Sequence, residues 1–143
     1  MFADPTGAHA ATFAAVFAAL YVAHQVADHW VQTQWQADHK AEAGWLGRLA
    51  CAAHVTTYTL TALLALATVA LATGLRLDPW GVAVGLTVSG VSHYIADRRV
   101  PLRRLADRLR KSSAWMERGG GLYALDQSWH YGFLFVAALF CAV

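Results

Sequence analysis

The chain has 143 residues, of which 57% are hydrophobic and 14% charged, and its mean hydropathy of +0.37 is too high for an ordinary soluble domain of this length. The formal net charge is only +2, but ten of the eleven Lys and Arg residues, all except Arg76, fall in two segments, 40–48 and 98–118. No basic n-region precedes the first apolar run, so that run is expected to be a retained membrane helix and not a cleavable signal peptide; no nucleic-acid partner is expected.

The first apolar segment, 8–31, is long enough to cross a bilayer with some tilt. Ala11, Ala15, Ala19, Ala23 and Ala27 recur along it every four residues, a ladder that would let another helix approach closely. Within the same segment His24 and Asp28 are four residues apart, so both leave one helical face. Ionisable groups in so apolar a helix are costly and by default mark a functional site. Gln32 continues that face by one turn. The chain then becomes polar through Gln34, Gln36, Asp38, His39 and Lys40, with Trp30, Trp35 and Trp45 interleaved, a composition suited to a membrane interface.

A second span is read over 49–73, opening with His54 and carrying Tyr58 one turn further on. Gly74 and Pro79 break it. A third span, 80–97, contains the GxxxG pair Gly81 and Gly85 and ends on His93 and Asp97, a repeat of the four-residue spacing. Residues 101–111 place Leu102, Leu105 and Leu109 opposite the arginines, which predicts a basic amphipathic helix on the membrane surface, attracted to anionic headgroups. The Gly119, Gly120, Gly121 run ends it, and a last span, 122–143, opens with Asp126 and His130. Nothing resembles a linker, and the prolines are scattered at Pro5, Pro79 and Pro101, so residues 1–143 are read as one domain.

Both basic connections should face the cytoplasm under the positive-inside rule, leaving both termini outside. The expected fold is therefore all-α: an integral membrane four-helix bundle, up-down-up-down, with the basic surface helix between spans three and four. In that arrangement His24, Asp28, His54, His93, Asp97, Asp126 and His130 all fall at the cytoplasmic end, and every span contributes. Imidazole and carboxylate donors suit a divalent ion, zinc first, with manganese or iron as alternatives. Seven donors exceed what one tetrahedral ion uses, so they imply one or two ions or a set of supporting aspartates. The competing expectation is an intrahelical His/Asp hydrogen bond in each pair, acting as polar glue between helices. Gln32 and Tyr58 could reach the mouth of the site, and Arg98, Arg99, Arg103 and Arg104 flank it with positive charge.

The order His24xxxAsp28xxxGln32 with Lys40 downstream, then His54, then Ser92-His93xxxAsp97, then Asp126-Gln127xxHis130 resembles an uncharacterised bacterial membrane family, domain of unknown function 3307, over residues 22–135. The resemblance implies a multi-span membrane protein without an established activity, and it adds Lys40 and Gln127 to the residues expected around the site. His29 after Asp28, and Arg98, Arg99 and Pro101 after Asp97, depart from the family pattern. The Ser-His-x-x-x-Asp element is also similar to one in bacterial membrane-bound metal-dependent hydrolases.

These features lead to the expectation of a metal-dependent hydrolase in the bacterial inner membrane, acting on a phosphorylated lipid or lipid-linked substrate at the cytoplasmic leaflet. Two other classes fit the same residues. One is a metal or proton transporter or sensor, for which four spans would call for a homo-oligomer. The other is a non-catalytic scaffold in which the cluster is a polar or metal clasp.

Overall fold

A computed structural model describes residues 7–143; Pro5 lies outside them. Among the described residues the chain is helical, with no strand. Helix α1 (Ala8–Val26) continues into a π-helical turn (Ala27–Val31) and is followed by α2 (Gln34–His39), α3 (Gly44–Thr73), α4 (Pro79–Asp97), α5 (Val100–Arg108), α6 (Ser113–Arg118) and α7 (Gly121–Ala142).

Local chemistry explains the boundaries. The Thr33 hydroxyl accepts the Gln36 N–H at 3.2 Å while the Gln36 carboxamide accepts the Thr33 N–H at 2.9 Å, a capping box that starts α2. At α4 the Asp78 carboxylate accepts the Gly81 N–H at 2.7 Å and Pro79 supplies the first helical residue, where its missing N–H costs nothing. Gly74, at φ 72°, ends α3 in the left-handed conformation that glycine adopts without penalty. Helix α3 begins at Gly44, ahead of the span start read from hydropathy. Trp45, Gly47 and Arg48 are compatible with a helix without being apolar. Helix α5 ends at Arg108, because Arg110 turns to φ 52° and the Lys111 N–H bonds back to the Ala106 carbonyl.

The four long helices close a ring of packing contacts: α1 lies against α3 and α7, and α4 against α3 and α7. Neighbours run antiparallel. Tyr58 meets Ser89 while His54 meets His93, and Phe13 meets Phe135 edge-on with ring centres 5.1 Å apart. Val16, Leu20, Leu66 and Leu134 form the buried apolar centre. The short helices gather where α1 leads into α3 and α4 into α7. There α5 packs through Leu102 and Ala106, leaving Arg103, Arg104 and Arg108 exposed.

By length and composition two helical stretches, Ala8–Val31 and Gly44–Thr73, are long and apolar enough to cross a membrane. Helices α4 and α7 fall short on composition. Their glycines, serines and ionisable residues lie largely on the inward face, with Ser89, Ser92, His93, Asp97, Gln127 and His130 all buried.

Candidate metal centre

The first helix contributes His24 from its last α-helical turn and Asp28 from the π turn. That turn is recorded in the Gln32 N–H bonding to the Ala27 carbonyl at 2.8 Å, five residues back. One extra residue per turn alters where the following side chains aim, and such turns recur at functional sites. Here Asp28 reaches across the bundle: its Oδ1 lies 3.4 Å from His54 Nε2 on α3 and 3.5 Å from His93 Nε2 on α4. Its distance to His24 on its own helix is 3.7 Å. The Asp126–His130 pair is also at 3.7 Å and His93–Asp97 at 3.3 Å, beyond the usual N–H···O range of about 2.7–3.2 Å. The intrahelical pairs are therefore loose, and the shortest contact among the seven donors is the hydrogen bond between His54 Nε2 and His93 Nε2, which joins α3 to α4 at 3.0 Å.

Four donors instead converge from three chain segments. His54 Nε2 and His93 Nε2 are 3.0 Å apart, and Asp97 Oδ2 lies 3.4 Å from the first and 3.3 Å from the second. With the two Asp28 contacts, five donor–donor separations fall between 3.0 and 3.5 Å. Ligands on one tetrahedral ion with bonds of about 2.0–2.1 Å are about 3.3–3.4 Å apart; Asp28, His54 and His93 form one group of mutually close ligand atoms, while Asp97 groups with Asp126 and His130. Asp28 Oδ1 and Asp97 Oδ2 are both buried without a hydrogen-bond partner, as are both nitrogens of His24 and Nε2 of His130. So many orphaned polar atoms in one interior would be expensive unless something else satisfied them.

The donors form three groups, His24/His93/His130, Asp28/His54/His93 and Asp97/Asp126/His130, each with its ligand atoms within 4.8 Å of one another. All seven sequence-derived donors are thus at one level and within ligand distance of a neighbour, and these buried His/Asp groups could hold a metal. His24, His54 and His93 are almost fully buried, as a site that excludes competing water requires.

The flanking residues divide. Lys40 Nζ is 2.8 Å from Asp97 Oδ1. Tyr58 stacks on His93 with ring centres 4.0 Å apart, and its hydroxyl pairs with Ser89. Gln127 accepts the Tyr131 hydroxyl at 2.9 Å, and that hydroxyl accepts from Gln25 at 2.7 Å, tying α7 to α1 beside the cluster. Gln32 is half-buried with its Nε2 unpartnered and belongs to none of the three donor groups. The Arg98 guanidinium turns away, donating to the Lys40 carbonyl at 2.6 Å and to that of Glu42, so it pins the 40–42 segment and with it Lys40. Arg99 and Arg103 line a cavity that also reaches Lys40, Asp97 and Asp126. Arg104 is exposed and lies outside that lining. Sequence reasoning missed Gln25 and Ser89, which hold no donor position, and Lys111 on the cavity wall. The only signal for Gln25 is its polarity next to His24 in an apolar helix.

Tyr58→Phe is expected to lower thermal stability by an amount worth about 1–3 kcal/mol, because Ser89 loses its buried partner. Metal binding should be retained; a thermal melt together with a metal titration of the purified variant checks both.

No curated protein and no solved structure matches the chain. A family model described as a protein of unknown function (DUF3307) matches residues 16–143, which include all seven donors, and the chain belongs to that family.

Proposed function

We propose that the protein is a four-span membrane hydrolase of the bacterial inner membrane, dependent on a divalent metal and acting on a phosphorylated lipid or lipid-linked substrate at the cytoplasmic leaflet. The observation that carries the metal reading is the quartet of Asp28, His54, His93 and Asp97, in which each carboxylate lies within 3.5 Å of both imidazoles. Imidazole and carboxylate donors suit zinc first, with manganese or iron as alternatives.

The membrane reading extends from the two longest apolar stretches to all four long helices because each turns apolar residues outward. Val22 on α1, Leu60, Leu64 and Leu71 on α3, Val91 and Ile95 on α4, and Phe135, Leu139 and Phe140 on α7 are all exposed. In water those faces would be a liability, whereas in a bilayer they meet acyl chains. The segments 40–48 and 98–118 hold ten of the eleven Lys and Arg, which supports a cytoplasmic location for the metal-site end and an extracytoplasmic one for both termini. Anionic headgroups would gather at the same end.

A divalent ion held by these residues would supply a water of lowered pKa and polarise a phosphoryl oxygen. Hydrolysis of a phosphate ester would join a water oxygen to phosphorus as the ester P–O bond breaks, with a proton passing from the water to the leaving alcohol. Lys40, Arg99 and Arg103, beside Asp97 and Asp126, are the residues placed to hold the phosphate through charge-assisted hydrogen bonds.

The test uses full-length protein purified in detergent. Its metal content by plasma mass spectrometry should show at least one equivalent of a transition ion, and chelation should lower the melting temperature. Because protons compete for imidazole nitrogens, metal affinity should fall as the pH is lowered. Release of phosphate from phosphorylated lipids should be lost on chelation and return with zinc. Metal uptake into vesicles without such turnover would replace hydrolysis by transport, and unchanged stability of metal-free protein would sink the metal reading itself.

A further inference from the structure

The inner donors are buried. Asp28, His54 and His93 have ligand atoms within 4.8 Å of one another, and the side chains of His54 and His93 are at most 1% exposed, with that of Asp28 at 9%. A site sealed from solvent suits a structural ion, whereas a catalytic ion needs a position that water or substrate can reach. Asp97 and Asp126 line a cavity of about 720 Å³ bordered by α5, α6 and α7.

Asp97 belongs to both neighbourhoods. Its Oδ2 faces His54 and His93, while its Oδ1 faces the Lys40 ammonium at 2.8 Å. A carboxylate whose two oxygens look toward two cation positions can bridge ions about 3.5–4 Å apart, as in two-metal hydrolytic sites. On the cavity side its companions are Asp126 and His130, with ligand atoms within 4.8 Å of one another. His130 is 3% exposed, and its Nε2 has no hydrogen-bond partner and lies 3.7 Å from Asp126 Oδ2.

Resting on the metal-centre reading, we infer that the protein holds two ions with different duties. An inner ion is held by Asp28, His54 and His93, with Asp97 Oδ2 beside both histidines, and an outer ion on Asp97, Asp126 and His130 keeps a coordination position open to the cavity. The substrate class is an anion that presents a phosphate to the outer ion, with Arg99 and Arg103 on the cavity wall to receive it. Lys40 neutralises the cavity-side oxygen of Asp97 and competes with the outer ion for it. Its ammonium is then one of the cations that can meet the phosphate.

The test is a zinc titration of full-length, chelator-stripped protein in detergent, followed by calorimetry and metal analysis. It is run in a background with the exposed His29 and the half-buried His39 replaced by alanine to remove adventitious sites outside the cluster. The titration should saturate at two equivalents. Asp126→Asn, a change at a side chain 23% exposed, should keep the helical circular dichroism and the tighter equivalent and lose the weaker one. Lys40→Met should tighten the weaker equivalent and leave the other unchanged. Saturation at one equivalent that His54→Ala abolishes would overturn the outer ion and leave the metal centre standing, as would two equivalents retained in Asp126→Asn. Absence of zinc binding in the parent protein would overturn both.

Discussion

His93→Ala is expected to strip the protein of tightly held zinc. His93 Nε2 stands at the middle of the quartet, 3.0 Å from His54 Nε2, 3.5 Å from Asp28 Oδ1 and 3.3 Å from Asp97 Oδ2. Partners that merely orient a ligand are worth about 10–100-fold in metal affinity, so loss of a direct nitrogen donor should exceed about a hundredfold. The variant also leaves two buried carboxylates with less to neutralise them, and breaking a buried charge cluster costs about 3–5 kcal/mol. Zinc content after purification and a thermal melt measure the two effects. His39→Ala is the matched control, because His39 is partly exposed and stacks on Trp35 away from the cluster. Full zinc retention in His93→Ala would remove the quartet as the binding site.

The second large effect involves no donor. A Cβ at Gly81 would lie 2.5 Å from the Phe140 carbonyl oxygen, and one at Gly85 would lie 2.7 Å from both the Ala137 carbonyl oxygen and Cys141 Sγ. The GxxxG pair is therefore the seam along which the backbones of α4 and α7 touch. Alanine at either position has backbone atoms against it, so the helices must separate, and overpacking of this kind costs about 1–3 kcal/mol per site. Because α4 carries His93 and Asp97 and α7 carries Asp126 and His130, Gly81→Ala combined with Gly85→Ala should weaken zinc binding as well as stability. Gly132→Ala, whose Cβ meets nothing within 4 Å, should be neutral or slightly stabilising through better helix propensity. Denaturant titration and zinc calorimetry on the three proteins separate these outcomes. Equal behaviour of the double variant and Gly132→Ala would show that the seam does not set the site.

Much of this architecture is legible in the linear pattern. Apolar runs of helical length punctuated by Gly74, Pro79 and the Gly119 to Gly121 run mark out the long helices. Their rare ionisable residues stand out because an apolar helix has no cheap reason to contain them. The helices α2 and α6 are not legible in this way, since six residues carry too little periodicity to register. Arg98 was equally opaque. Its charge suggests a place beside Arg99 and Arg103, but its guanidinium is spent on the carbonyls of Lys40 and Glu42. Side-chain reach in a sharp turn, with Arg99 at φ 57°, decides that.

By itself the sequence determines that the chain is helical, that its polar residues are few, and that His24, Asp28, His54, His93, Asp97, Asp126 and His130 can share one level. Spacing of four sets which residues leave a helix on the same face, and that is a local property. Only the tertiary structure decides that Asp28 serves His54 and His93 more closely than His24, and that Asp97 presents one oxygen inward and the other to Lys40. Those pairings depend on the π turn at Ala27–Val31 and on how closely α4 approaches α7. Distances between helices are set by packing, which no single helix encodes.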